Sequence, residues 1–202
     1  MPDTAAPPVI ETVPLPHGIA LQVAAQGDPA GVPVLLLHGY ADSWRSFAGV
    51  LPHLPECFRV VAPTLRGHGD SDRPESGYRV RDFAADVAAL MEVLALPPTV
   101  IVGHSMGSAV AQRLAVDHPR CTRGLVLVGS FVSWRNNPLL SAFWDEALAH
   151  LADPLDPAFV RDFQESPRVP GEYIDQMVQE SLKMPARVWR AAWRAMLEED
   201  HP

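Results

Sequence analysis

Cysteine is nearly absent: Cys57 and Cys121 are the only two in 202 residues, and they lack the CxxC spacing of redox and zinc motifs. That count excludes a disulfide-stapled scaffold, and two buried thiols in a reducing cytoplasm are the expectation. Long apolar runs are missing as well. Nothing approaches the ~20 residues of a spanning helix, and the opening MPDTAAPPVIETVPLP has neither a basic start nor an apolar stretch. A chain that is neither membrane-spanning nor exported is expected. Basic residues are scarce, 16 Lys and Arg against 24 Asp and Glu, for a formal net charge of −8. This argues against a surface that neutralises nucleic-acid phosphates or an anionic membrane, and small uncharged partners are favoured. What is present is ordinary globular material, 48% hydrophobic and 20% charged, long enough for one domain with a core that needs no staples.

Between positions 9 and 129, strand-length apolar runs alternate with segments of helical period, the pattern of an α/β protein with a mostly parallel sheet. VPVLLLHG (32–39), FRVVAPT (58–64), TVIVGH (99–104) and RGLVLVGS (123–130) are almost continuously hydrophobic, as strands covered on both faces are. VIETVPL and IALQVAAQG alternate more and read as an antiparallel hairpin around His17 and Gly18, which makes six strands. Helical spacing predicts helices over 80–94 and 106–117, stopped by Pro97-Pro98 and by His118-Pro119. After Ser130 the strands cease. Helical segments follow at about 139–151, 157–164, 173–182 and 186–197, separated by proline and glycine. The charges of RVRDFAAD and ARVWRAAWR read as solvated helix faces.

The sharpest local signal is Gly103-His104-Ser105-Met106-Gly107. GxSxG alone is a weak pattern, and a plain connecting turn would satisfy it. Here it closes the strand TVIV and opens the helix SAVAQRLAV, the strand-to-helix setting that lifts a serine into an exposed, strained turn. Such a nucleophile needs donors for the developing oxyanion. The Met106 amide, at the positive end of the helix, supplies one. The Tyr40 amide, in the loop LLLHGYADSW where Gly39 permits a close turn, supplies the second, although a simple strand-end turn would also fit. In RGHGDSD, His68, Asp70 and Asp72 could share a cation, but one loop supplies all of them, so a hydrogen-bonded polar loop is the better account. Trp134, Phe143, Trp144, Tyr173, Trp189 and Trp193 either line an apolar pocket or, more commonly for such spacing, pack helix on helix.

HGYADSW, RGHGDSD and GHSMGS, in this order and at these spacings, resemble the α/β-hydrolase fold superfamily, particularly its compact esterase, lactonase and cofactor-free haloperoxidase-like branch. The resemblance covers essentially the whole chain. It implies a core over 1–131, with a mostly parallel sheet flanked by helices, and a helical cap over 132–202. It also implies Ser105 as nucleophile, Tyr40 and Met106 as oxyanion amides, and Gly39, Gly103, His104 and Gly107 as support. A small carboxylic ester or lactone would be the substrate, with no metal or organic cofactor. Dehalogenases and epoxide hydrolases of this fold place Asp where Ser105 stands.

A serine also needs a base and a carboxylate to orient it. In the family these follow strands that come after the cap, whereas this chain reaches LEEDHP while still in cap-like helix. The alternative acid position after RGLVLVG holds Ser130 and Phe131. His38 and His104 belong to the oxyanion loop and the elbow, and His17, His53, His118 and His150 read as surface residues. Adjacent Asp200 and His201 cannot easily place an imidazole between a carboxylate and Ser105. No triad acid or base is therefore expected in these residues. RGLVLVGS would also form an unprotected apolar sheet edge, prone to self-association. The expectation is the amino-terminal part of a longer serine hydrolase; the alternative is a catalytically incomplete fragment or a non-catalytic ligand-binding relative.

Overall fold

A computed structural model describes residues 7–199. Its strands are β1 (Val9–Pro14), β2 (Ala20–Gly27), β3 (Val32–Leu37), β4 (Phe58–Pro63), β5 (Thr99–His104) and β6 (Thr122–Val128). They form one sheet in the order β1-β2-β4-β3-β5-β6. β1 pairs antiparallel with β2, and β2 antiparallel with β4; β4, β3, β5 and β6 run parallel to one another. The hairpin at His17-Gly18 and the six-strand count agree with the hydrophobic pattern.

Six α-helices accompany the sheet: α1 (Val80–Val93), α2 (Met106–Asp117), α3 (Pro138–Glu146), α4 (Pro157–Gln164), α5 (Gly171–Leu182) and α6 (Ala186–Glu198). Side chains alternate along a strand, so β3 sends Leu35 and Leu37 to one face and Val34 and Leu36 to the other. The first face packs on Phe83, Val87 and Leu90 of α1 and on Val110 and Leu114 of α2, all fully buried. Each such side chain contributes about 1.5–3 kcal/mol through removal from water. The second face is covered mainly by single-turn 3-10 segments at Trp44–Phe47 and Leu51–His53. Boundary chemistry follows the sequence. Asn137 and Asp156 cap α3 and α4 with their side chains, and a proline follows each cap as the first helical residue.

Four expectations are corrected. The predicted helix at 139–151 ends at Glu146 and gives way to a 3-10 turn at Leu148–His150. Cys57 is exposed and Cys121 half-buried, not buried thiols, because both lie in turns that precede a strand. RVRDFAAD is not simply a solvated face: Asp86 is wholly buried, accepts from Nε and Nη2 of Arg66, and accepts from His17 at 2.7 Å. A buried carboxylate survives only with such partners. In ARVWRAAWR, Arg187 and Arg190 reach backbone carbonyls of Arg73, Pro74 and Leu151. β6, with the composition of an interior strand, stands at the sheet edge as expected, with Leu125, Val126, Leu127 and Val128 exposed by 37–50%.

Candidate active site

β5 ends at His104, and the chain turns directly into α2 through Ser105, whose φ of +50° and ψ of −117° few residues with a Cβ adopt. Two glycines make the turn possible. A Cβ on Gly103 would stand 2.4 Å from Gly107 O, and one on Gly107 would stand 2.2 Å from Leu37 O, so α2 crosses the strands at backbone distance. The turn is fixed from the β6 side, where the Ser105 amide donates to Val128 O at 2.9 Å. From the helix side, the Ser108 hydroxyl donates to Ser105 O at 2.6 Å. Ser105 is half-buried, whereas Met106 is fully buried.

Beside the elbow, the loop after β3 carries His38, Gly39, Tyr40, Ala41 and Asp42. His38 is buried, its Nδ1 lies 2.7 Å from Gly39 O, and its Nε2 accepts from the Leu65 amide at 2.9 Å. Nδ1 therefore carries the proton. Burial, with the His68 imidazole nearby, holds the His38 pKa well below the usual value. His38 thus serves as a neutral bracket rather than a free base. Gly39 keeps the turn close: a Cβ there would crowd Asp42 Oδ2 and His104 Nδ1, each at 3.0 Å. Among the described residues, neither the Tyr40 nor the Met106 amide donates to another protein group, which leaves both for an incoming acceptor.

The RGHGDSD segment is a hydrogen-bonded loop. Asp72 accepts from the Ala20 amide, and Asp70 accepts from Gln22 and Lys183. His68 is buried, its Nδ1 lies 2.9 Å from Arg66 O, and burial pushes its pKa down to about 4. Its Nε2 is buried without a partner. Among the described residues, no three His, Cys, Asp or Glu side chains are placed to hold a metal ion. Nor does any described side chain form a hydrogen bond with the Ser105 hydroxyl. Asp200 and His201 lie outside the described residues.

Sequence reasoning quoted Asp42 within HGYADSW without giving it a role. It is half-buried, burial raises its pKa to about 6, and the Gln164 amide and His104 oppose that rise. The aromatic residues of the helices after β6 mostly pack on one another. Tyr40 stands edge-on to Trp189 and Trp193, and Trp193 also meets Trp134 and Phe143, with ring centres 5.1–5.2 Å apart. Trp144 lies under the Arg194 guanidinium. Tyr173 instead lines a groove of about 620 Å³ on the second face of the sheet, with Val34, Leu36, Val102, Val126 and His104. In sequence, nothing separates Tyr173 from the packing aromatics.

The model of the alpha/beta hydrolase fold matches residues 32–168. An uncharacterized protein of Mycobacterium tuberculosis is 39% identical over 129 residues, which is 62% of this chain and 36% of that protein. A soluble epoxide hydrolase of a Corynebacterium species is 42% identical over 89 residues, 44% of this chain and 31% of the other. These matches span about a third of the length of the relatives. Among solved structures, an E-2-(acetamidomethylene)succinate hydrolase superposes with a TM-score of 0.80 at 25% identity, covering 96% of this chain and 74% of that one.

Proposed function

The chain belongs to the alpha/beta hydrolase fold family, and on that premise we propose that it carries the nucleophile and oxyanion half of a serine hydrolase acting on carboxylic esters or lactones. The observation that supports this most directly is Ser105 itself, at positive φ between β5 and α2, beside two amides without protein acceptors. In the reaction, Ser105 Oγ bonds to the carbonyl carbon while the π pair moves onto oxygen, stabilised by the Tyr40 and Met106 amides. Collapse breaks the carbon–oxygen bond of the ester, and the leaving alkoxide takes the serine proton. Water then adds to the acyl carbon, releases the acid and returns a proton to Oγ. Relatives that open epoxides do not carry this assignment over. Serine attack on an epoxide would leave an ether that water cannot readily cleave, whereas an acyl-serine is hydrolysable.

On this reading, residues 1–131 form the core and 132–202 the cap, the protein works in the cytoplasm, and no metal or organic cofactor takes part. The acid and base belong to a further segment that pairs with β6. Without it, the apolar β6 edge self-associates. The test is acylation by p-nitrophenyl acetate, followed by intact-mass and peptide spectrometry. With no base to drive deacylation, an acetyl adduct should accumulate on Ser105 and be absent from Ser105→Ala. Ester turnover without that adduct would overturn the proposal. One observation favours a second reading, a non-catalytic ligand-binding relative: the Ser105 hydroxyl has no partner among the described residues. Saturable ester binding with no adduct would support that reading.

A further inference from the structure

The loop over 38–42 is held from two directions. From the core, His38 donates from Nδ1 to Gly39 O at 2.7 Å. The next three residues are each tied to a different helix beyond the sheet. The buried Tyr40 hydroxyl donates to Trp189 O on α6 at 2.7 Å. Ser181 on α5 places its hydroxyl 2.7 Å from Ala41 O and 2.8 Å from Met177 O, so its single proton is shared between a loop acceptor and its own helix. Gln164, the last residue of α4, donates one amide proton to Asp42 Oδ1 at 3.2 Å and the other to Ser181 Oγ at 2.9 Å. Three helices and three consecutive loop residues thus share one polar network, and Ser181 stands at its centre.

The network holds a conformation that the loop would not keep unaided. Ala41 has a φ of +62°, a region that residues with a Cβ seldom occupy, and no glycine relieves it. Within the loop, the 3.3 Å bond from the Asp42 amide to Gly39 O is long. The Tyr40 amide lies one residue ahead of this strained position, in the same short loop. We propose that the Tyr40 hydroxyl, Ser181 and Gln164 are positioning residues through which α4, α5 and α6 shape the oxyanion hole, so that the hole is formed only while these helices are seated on the loop. This rests on the serine-hydrolase reading above. It also goes further: the cap becomes part of the electrostatic machinery, and seating it on the loop completes the site.

The test compares Tyr40→Phe, which keeps the ring but removes the hydroxyl, with Ser181→Ala and the hydroxyl-retaining Ser181→Thr, each in the full chain. Acylation of Ser105 by a p-nitrophenyl ester is followed as a function of ester concentration. Outright loss of an oxyanion donor costs roughly 10²–10³ in rate, so a loosened donor should slow the limiting acylation step about tenfold. The apparent dissociation constant of the ester should stay within about twofold, and Ser181→Thr should restore the rate. In parallel, amide order parameters at residues 40–42 should fall from about 0.85 toward 0.6 in the first two variants, with β3 and β5 unchanged. If the unsubstituted chain forms no adduct, the hydrolase reading fails, and the order parameters alone decide whether the helices hold the loop. Unchanged order parameters at 40–42 in both variants would overturn the proposal. So would weaker ester binding at an unchanged limiting rate, which would make these side chains substrate contacts instead.

Discussion

The two flanks of β5 differ in kind. Toward β3, the helix-covered face is closed: Leu35 and Leu37 are fully buried, α2 touches the β3 backbone, and the loop after β3 is bracketed by His38 and three helices. Toward β6, the elbow has a single backbone anchor, Val128 O, on a strand whose outer edge is unpaired and whose apolar residues are exposed. Ser105 stands at the seam. The two amides without a protein acceptor among the described residues, those of Tyr40 and Met106, lie on the closed flank. On neither flank does a described side chain form a hydrogen bond with the Ser105 hydroxyl.

The contrast is sharpest in glycine substitutions. Gly107→Ala on the closed flank would push a Cβ to 2.2 Å from Leu37 O and 2.6 Å from His38 O, both backbone atoms that cannot step aside. The expected loss is about 4 kcal/mol or more, at the extreme of single substitutions. Gly124→Ala on β6 meets nothing within 4 Å, so its effect should stay within about 0.5 kcal/mol. Urea unfolding of the two variants side by side measures the difference. Equal losses would mean that β6 is as confined as β3, and the contrast between the flanks would be lost.

A smaller effect concerns Asp42, a half-buried carboxyl of the closed flank. Burial raises the Asp42 pKa from 3.8 to about 6, so between those values the folded state binds a proton that the unfolded state has released. This contribution is therefore fully favourable below about pH 4 and is lost as pH rises through about 6. The loss amounts to about 2 kcal/mol, allowing for partial solvent screening. Stability measured from pH 4 to 7 should decline less steeply in Asp42→Asn than in the unsubstituted chain. Parallel pH profiles would show that Asp42 is solvated as freely in the folded chain as in the unfolded one.

Most of the scaffold was legible because it is written locally. Apolar runs of strand length and the two glycines of GHSMG report backbone needs that depend on near neighbours. What escaped is long-range. Asp86 looks like any helix charge until Arg66 and His17 arrive from other elements. Nothing in SLKM marks Ser181 as the partner of Ala41, 140 residues earlier. β6 stands at the edge because no later strand follows it among the described residues, and its interior-type composition conflicts with that position. VIETVP at the other edge carries a Glu, a Thr and a Pro and shows no such conflict.

That last difference yields the finest test. β1 and β6 are both edges, but only β6 offers a continuous apolar strip with unpaired backbone groups, and Val126 and Val128 also face the groove on the second face of the sheet. A lysine on such a strand leaves its existing pairing with β5 intact while charging the surface that a second copy would have to cover. Val126→Lys should therefore weaken self-association at least about tenfold, or ~1.4 kcal/mol. Ile10→Lys on β1, where Ile10 is already 43% exposed, should leave it unchanged. Sedimentation velocity across a concentration series reads both. If the unsubstituted chain stays a monomer throughout, β6 is protected by some means other than pairing, and the open flank is a stable surface rather than a site awaiting a partner strand.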